Sequence, residues 1–180
     1  ARIVVDSTAR VGGPSWPNAF HVCEVEVDPA TGVVEIVAYA SVNDIGRIVS
    51  PQIVKGQIEG GAVQGIGQAL CERVVYDRDT GQLLSASFMD YALPRADGFR
   101  GFVTRFDTSI PCQTNALGVK GVGELGTVGA TPTVVNAVVD ALAGPGGLGR
   151  EAEKIAMPLS SEIIWRALQR RDFGSPAVTA

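Results

Sequence analysis

The sequence has a single histidine, His21, and only three cysteines, Cys23, Cys71 and Cys112. The cysteines are far apart and form no C-x-x-C pair, which argues against a disulfide framework, a zinc site or an iron–sulfur cluster held by this chain alone. A Ser-His-Asp triad would have to use His21, but its strand-like surroundings favour a structural role. Reduced thiols suggest a cytoplasmic protein.

The sequence also lacks an excess of basic charge and a long apolar run. Fifteen lysines and arginines against nineteen aspartates and glutamates give a net charge of −4, which is unfavourable for an electrostatic nucleic-acid binder. No uninterrupted apolar run approaches the roughly 18 residues of a membrane span, and residues 1–20 do not resemble a signal peptide. We therefore expect neither a nucleic-acid nor a membrane partner.

Glycine, by contrast, is abundant in a chain of otherwise ordinary composition. There are 22 glycines among 180 residues, about 12% against a usual ~7%. Apolar residues make up 46% and charged residues 19%, so the chain is expected to be globular. Its length fits one domain, or half of a larger one.

Alternation of apolar and polar residues predicts several strands. In His21–Val27, Cys23, Val25 and Val27 share one face and Glu24 and Glu26 the other. A turn follows at Asp28–Gly32, and Val33–Val42 is the second strand of a hairpin. Further strands are predicted at Arg73–Tyr76, Leu83–Phe88 and Phe102–Asp107, of which the first two form a second hairpin.

Three helices are predicted from capping residues. One opens at Ser50-Pro51 and runs to about Glu72, a second opens at Thr131-Pro132 and runs to Leu142 before Gly144, and a third runs from Ser160 or Ser161 to about Arg170. Because strands and helices do not alternate regularly, the predicted class is α+β, with β-hairpins and about three helices. Residues 172–180 are expected to form a flexible tail.

The first helix carries unusual residues for a helix. Each glycine in a helix interior costs about 1 kcal/mol relative to alanine, so either the segment is a loop with one short helix or something approaches its backbone closely. Its glycines are Gly56, Gly60, Gly61, Gly65 and Gly67. Gln57, Gln64 and Gln68 add amide groups on a shared face.

A glycine-rich loop at Leu117–Gly129 leaves backbone N–H groups open to an oxygen-rich ligand. Gly121, Gly123 and Gly126 satisfy G-x-G-x-x-G, but a dinucleotide site needs an apolar strand before the motif and a helix that opens inside it. No strand precedes the motif, and the helix is predicted only from Thr131-Pro132. The sequence therefore argues against a dinucleotide fingerprint.

Glu124 is the one carboxylate in this loop. Valine, leucine and glycine surround it, and only Lys120 offers a competing charge. Partial desolvation would make Glu124 an effective general base.

The segment Asn115–Leu142 resembles the C-terminal signature of the molybdenum hydroxylases, which include xanthine dehydrogenase, aldehyde oxidase and the large subunit of carbon monoxide dehydrogenase. Three further blocks agree with this family, at Asp44–Pro51, Gly56–Leu70 and Met157–Leu168. The resemblance covers about Gly12 to Arg170 and implies that residues 1–171 are the C-terminal part of a molybdopterin-binding domain.

The resemblance also implies roles for individual residues. Glu124 matches the glutamate beside molybdenum that acts as general base when an electron-poor carbon is hydroxylated with water-derived oxygen. Gln57 matches a glutamine that hydrogen-bonds the pterin. The backbone that holds the pterin and dithiolene end of the cofactor matches Lys120, Gly121, Val122 and Gly123. No residue of the chain is expected to ligate the metal.

One departure from the family is length, because family large subunits are several times longer. The chain is therefore expected to be an excised fragment or part of a split subunit, inactive alone and prone to oligomerise. Its partners would be the remaining N-terminal part of the large subunit and the subunits or domains that carry iron–sulfur clusters and FAD. The small-molecule substrate stays open among purines, aldehydes, N-heterocycles and carbon monoxide. Two alternatives remain, a dinucleotide-binding dehydrogenase module and a non-catalytic interaction domain.

Overall fold

Three β-strands and three α-helices make up the computed structural model, which describes residues 2–10 and 12–174. Two 3₁₀ helices lie at Ala96–Gly98 and Gly149–Lys154. The α+β class, with a hairpin and three α-helices, is as predicted. The strands are β1 (Asn18–Val27), β2 (Val34–Asp44) and β3 (Val103–Asp107), and the helices are α1 (Pro51–Leu70), α2 (Leu125–Ala143) and α3 (Ser161–Gly174).

The sheet has the strand order β1-β2-β3, with β1 antiparallel and β3 parallel to β2. The turn between β1 and β2 closes because the Asp28 carboxylate accepts hydrogen bonds from the Ala30 amide at 2.9 Å and the Thr31 hydroxyl at 2.6 Å. Gly32 completes the turn at φ +72°, a value that favours glycine. The first predicted hairpin and the strand at Phe102–Asp107 are thus confirmed.

The hydrophobic core lies where α2 packs against both α1 and the inner face of the sheet. Alternate residues of β1 point inward, as predicted, and α3 adds Ile164 to the core. The buried core residues are Ile36, Tyr39, Ala62, Ile66, Ala69, Ala130, Val134, Val138, Leu142, Ala152, Leu159 and Ile164.

Glycines of α1 let α2 approach its backbone. A Cβ atom at Gly61 would lie 3.1 Å from the Thr127 nitrogen, and one at Gly65 would lie 2.8 Å from the Thr127 carbonyl oxygen. These two glycines therefore serve helix packing, whereas a Cβ at Gly56 or Gly60 would meet nothing within 4 Å. The predicted helix through the glycines is confirmed, and so is the close approach.

The predicted start of α2 is wrong. The helix begins at Leu125, six residues before Thr131-Pro132, and Pro132 lies inside it. Contacts with α1 explain the difference, since the Thr127 and Thr131 hydroxyls donate to the carbonyl oxygens of Gly61 and Gly65 at 2.9 and 3.1 Å. Such tertiary contacts stabilise the first turns against the low helix propensity of glycine and proline.

The second predicted hairpin is reduced to a turn with one bridge, between Tyr76 and Leu83. The Asp77 carboxylate closes the turn by accepting from the Thr80 amide and hydroxyl. Val74, Tyr76 and Leu84 are all more than half exposed, so nothing in the described part of the chain supports a longer two-stranded ladder.

The C-terminal helix extends further than the sequence indicates. α3 begins at Ser161, as predicted, but continues to Gly174, past Arg170 and past the expected domain boundary at residue 171. The rest of the predicted tail, residues 175–180, lies outside the described residues.

By length and composition alone, α2 could cross a membrane, and it is the one such helix among the described residues. It lacks an uninterrupted apolar run, and five of its residues are buried in contact with the rest of the fold. They are Gly126, Ala130, Val134, Val138 and Leu142. This is the arrangement of a core helix.

The tight contact between α1 and α2 predicts that Gly61→Val destabilises the chain. The larger side chain would meet the backbone of Gly126 and Thr127, and overpacking of this kind costs about 1–3 kcal/mol. At this chain length, that corresponds to a fall in Tm of about 2–12 °C in thermal unfolding.

The matched control is Gly60→Val, the same substitution one residue earlier, where a side chain meets open space. Its Tm should stay within about 2 °C of the original chain, because no contact is disturbed and helix propensity does not fall. Equal melting temperatures for the two variants would contradict the packing role of Gly61.

Candidate functional site

The glycine-rich loop is fixed to the segment that follows β2. Val119 forms an isolated antiparallel bridge with Gly46, and the Gly118 carbonyl accepts from the amides of Arg47 at 2.8 Å and Cys112 at 3.0 Å. Gly118 is buried and has φ +70°. These contacts hold the loop at the carboxyl end of the central strand.

Lys120 ends this fixed part of the loop. Its amide donates to the Ile45 carbonyl at 2.9 Å, and its Nζ donates to Asp44 Oδ2 at 2.5 Å. The Lys120 amide therefore already has a partner within the chain, and its ammonium group is paired with Asp44. The ion pair lowers the pKa of the Asp44 carboxyl.

The next three residues, Gly121, Val122 and Gly123, behave differently. Their amides donate no hydrogen bond to another residue in the described part of the chain. A Cβ at Gly121 or Gly123 would meet nothing within 4 Å, and neither residue has a positive φ. The fold of this chain does not require glycine here, whereas close approach by an external group would.

Glu124 lies at the N-cap of α2, directly after these open amides. Its side chain forms no capping hydrogen bond and is exposed. The expected desolvation by neighbouring apolar residues is therefore not supplied by this chain. A group from outside the chain would have to cover Glu124 to strengthen it as a base.

The packing of α1 on α2 brings Gln57 to the same end. Gly61 contacts Thr127 near the start of α2 and Gly65 contacts Thr131 further along, so the two helices run parallel. Gln57 lies one turn before Gly61 on the same face, and therefore near the N-terminal end of α2.

The three glutamines of α1 have different surroundings. The side-chain oxygens of Gln64 and Gln68 lie 3.4 and 3.3 Å from the hydroxyl oxygens of Thr127 and Thr131, so these glutamines lie against α2. Gln57 is exposed and has no side-chain hydrogen bond to another described residue. Its amide can therefore bind an external ligand.

The N-terminal end of α2 combines open amides with one carboxylate. Its unpaired amides carry a partial positive charge. No acidic residue lies in the first turn of α2, and Glu124 stands at its N-cap. Together with the amides of residues 121–123, the arrangement suits a ligand rich in oxygen, nitrogen or sulfur acceptors, and Glu124 could accept a proton beside it.

Other polar groups lie outside this arrangement. His21 Nδ1 is 2.6 Å from the Tyr39 hydroxyl, and its ring packs on Gly129 of α2. Burial lowers the pKa of His21, which agrees with the predicted structural role. A shallow cavity lined by Phe88–Arg95 contains none of the predicted site residues.

Sequence reasoning missed Asp44 as part of the site. It stands in one of the blocks that carry the family resemblance, which was the available signal.

The rejection of a dinucleotide fingerprint still holds in one respect. The helix does open inside G-x-G-x-x-G, contrary to the prediction, but only the Gly46–Val119 bridge precedes it instead of an apolar strand.

Comparison with known proteins gives a consistent result. The family model described as "Molybdopterin cofactor-binding domain" matches residues 4–99. Nicotine 6-hydroxylase large subunit from Paenarthrobacter nicotinovorans is 42% identical over 154 residues, covering 86% of this chain and 18% of that protein. Carbon monoxide dehydrogenase large chain from Hydrogenophaga pseudoflava is 33% identical, covering 88% of this chain and 19% of that protein.

Solved structures resemble the fold as well. Carbon monoxide dehydrogenase from Oligotropha carboxidovorans superposes with a TM-score of 0.76 at 30% identity, covering 88% of this chain and 19% of that chain. Quinoline 2-oxidoreductase from Pseudomonas putida 86 superposes with a TM-score of 0.74 at 35% identity, covering 85% and 19%. The chain thus spans less than a fifth of the length of these relatives.

Proposed function

This chain belongs to the molybdopterin cofactor-binding domain family, and on that premise we propose that it forms one wall of the active site of a molybdenum-dependent oxidoreductase. The observation that carries the proposal is the shared position of three unpaired features. Three groups lie around the N-terminal end of α2: the open amides of Gly121–Gly123, the Glu124 carboxylate and the Gln57 side chain.

The residues present fit such a cofactor. The amides of residues 121–123 can donate to its pterin and dithiolene end, and glycine at 121 and 123 leaves room for close approach. The Gln57 amide can both donate and accept at a pterin edge. The N-terminus of α2 stabilises negative charge at the same place.

The chemistry assigned to this chain is a proton transfer. When bound, the molybdenum cofactor supplies the electron acceptor and the activated oxygen for hydroxylation of an electron-poor carbon. A Glu124 carboxylate oxygen accepts the proton that is released when this oxygen becomes a nucleophile. Lys120 and Asp44 keep the loop in place, and no residue of the chain is assigned as a metal ligand.

We also propose that most of the pocket comes from the rest of the large subunit. The outer face of the sheet carries four apolar side chains that are at least half exposed, which indicates a surface covered by another part of the protein. These are Phe20, Val22, Val42 and Val103. Iron–sulfur clusters and FAD are assigned to partner subunits or domains.

The proposal predicts that Gly123→Val lowers the molybdenum and pterin content of the purified complex at least about tenfold. A side chain there would occupy the space of the cofactor, and each loss of ~1.4 kcal/mol in binding is a factor of ten. Gly98→Val is the matched control, because Gly98 is also exposed, open and without a positive φ. It should leave the cofactor content unchanged.

Cofactor analysis of the original complex also separates the alternatives. Molybdenum with a pterin supports the proposal, a bound nicotinamide or flavin nucleotide on this chain favours a dehydrogenase module, and no cofactor favours an interaction domain. Full molybdenum content in Gly123→Val would contradict the proposed contact. Parallel assays with an N-heterocycle, a purine, an aldehyde and carbon monoxide then identify the substrate class.

A further inference from the structure

The ion pair between Asp44 and Lys120 connects the end of β2 to the residue that directly precedes the open amides. Asp44 is the last residue of β2, and Lys120 is 76 positions later in the chain. The Lys120 side chain is 10% exposed and that of Asp44 is 22% exposed. The pair is therefore largely shielded from solvent, unlike the exposed ion pairs elsewhere in the chain.

Asp44 is itself held in a fixed orientation. Its Oδ1 accepts from the Gly46 amide at 3.1 Å, while Oδ2 accepts from Lys120 Nζ and, at 3.5 Å, from the Asn18 side chain. The Lys120 stem also packs near Gly46, where a Cβ would lie 3.3 Å from its Cγ. The carboxylate thus receives donors from β1, from the turn after β2 and from the glycine-rich loop.

The position of Lys120 determines where the following residues lie. Both its amide and its ammonium group bind to residues 44 and 45. The next fixed residue is Gly126, which packs on the backbone of α1 near Ala62. Gly121–Glu124 is therefore a short segment between two fixed points, and it has no amide hydrogen bonds of its own to the rest of the described chain.

We infer that Asp44 is a positioning residue for the active-site loop, acting through Lys120 on Gly121–Glu124. The inference rests on the proposed function, since it assigns the loop amides and Glu124 to the cofactor site. Removing the Asp44 charge leaves the Lys120 ammonium shielded from water without an anionic partner. Lys120 would then turn towards solvent, and the segment that follows it would move.

The test compares Asp44→Asn with Glu35→Gln in the purified complex. Both substitutions neutralise an ion-paired carboxylate of β2, but Glu35 pairs with Arg100 at the other end of the strand. In Asp44→Asn, hydrogen exchange of the peptide covering residues 118–124 should accelerate at least about tenfold, because movement of the Lys120 side chain would weaken the bond from the Lys120 amide to the Ile45 carbonyl. Glu35→Gln should leave this exchange unchanged.

Turnover gives the second readout. Per bound molybdenum, kcat of Asp44→Asn should fall about tenfold or more while KM changes by less than about twofold, because displacement of a catalytic group acts on the chemical step. A purely structural role would lower Tm and leave kcat per molybdenum unchanged.

The double variant Asp44→Asn/Lys120→Gln tests whether Asp44 acts through Lys120. It leaves no unpaired charge, so it should fold even where Asp44→Asn does not. Its kcat per molybdenum should equal that of Lys120→Gln alone, because residues that act through one another are not additive.

Unchanged hydrogen exchange in Asp44→Asn, or a further loss of kcat in the double variant, would overturn the inference. The exchange measurement needs no cofactor. A complex without molybdenum would therefore contradict the proposed function and still decide the role of Asp44.

Discussion

Glu124→Gln is expected to lower kcat of the complete enzyme by at least about 10²-fold, the lower range for loss of a general base. The molybdenum content should stay unchanged, because glutamine keeps the size and polarity of the side chain and the loop amides are untouched. The Glu124 side chain makes no capping hydrogen bond and is exposed within this chain, so Tm should not fall. Turnover, molybdenum content and thermal unfolding check the three parts separately.

Glu162→Gln is the matched control for this substitution. Glu162 is also exposed, lies in the first turn of α3 and pairs with Arg166 on the surface. Exposed pairs of this kind contribute about 1 kcal/mol at most, so both kcat and Tm should remain close to those of the original enzyme. Turnover of a molybdenum-replete Glu124→Gln enzyme within about threefold of the original would refute the role of Glu124 as general base.

The parts of the fold that follow from local patterns agree with the sequence. β1 alternates between inward and outward residues, and it is joined to β2 by a turn whose Asp28 and Gly32 have clear local roles. α1 was predictable from Ser50-Pro51, although its glycines lower its propensity. Periodicity and turn chemistry both act over a few residues, so a single sequence contains this information.

The start of α2 was not predictable in the same way. Two glycines and Pro132 argue against helix in its first turns, and the contacts that stabilise them come from Gly61 and Gly65, more than 60 residues earlier. The same contacts set the direction of α1 relative to α2, which brings Gln57 to the end where Glu124 lies. A pattern along one helix does not specify which helix it will pack against.

The site itself was partly predictable. Glu124 and the glycines around it stand out in the sequence because glycine leaves backbone amides open. The ion pair between Lys120 and Asp44 was not predictable from the sequence, because nothing near a lysine in a glycine-rich loop indicates a partner 76 residues away. Nor did the local apolar residues predict the exposure of Glu124, since desolvation depends on what covers the loop in three dimensions.

The 180-residue chain alone is expected to have no catalytic activity and to hold no cofactor tightly. Glu124, Gln57, Gly121 and Gly123 are all exposed, so the chain offers one open wall, whereas binding sites normally enclose about 70–90% of a ligand's surface. Each ~1.4 kcal/mol of missing contact weakens affinity tenfold. The core between α2, α1 and the sheet should still fold, and the apolar outer face of the sheet should promote self-association.

Two measurements test whether the chain alone binds the cofactor and is active. They are metal analysis and dye-linked oxidation assays on the purified chain, with and without the remaining large-subunit polypeptide. Molybdenum and turnover should be present only when the two are combined, because the second polypeptide closes the open side of the site. The Glu124→Gln chain combined in the same way controls for activity that comes from the other polypeptide. Stoichiometric molybdenum and turnover from the chain alone would show that its exposed wall is sufficient, and the proposal that most of the pocket lies elsewhere would be wrong.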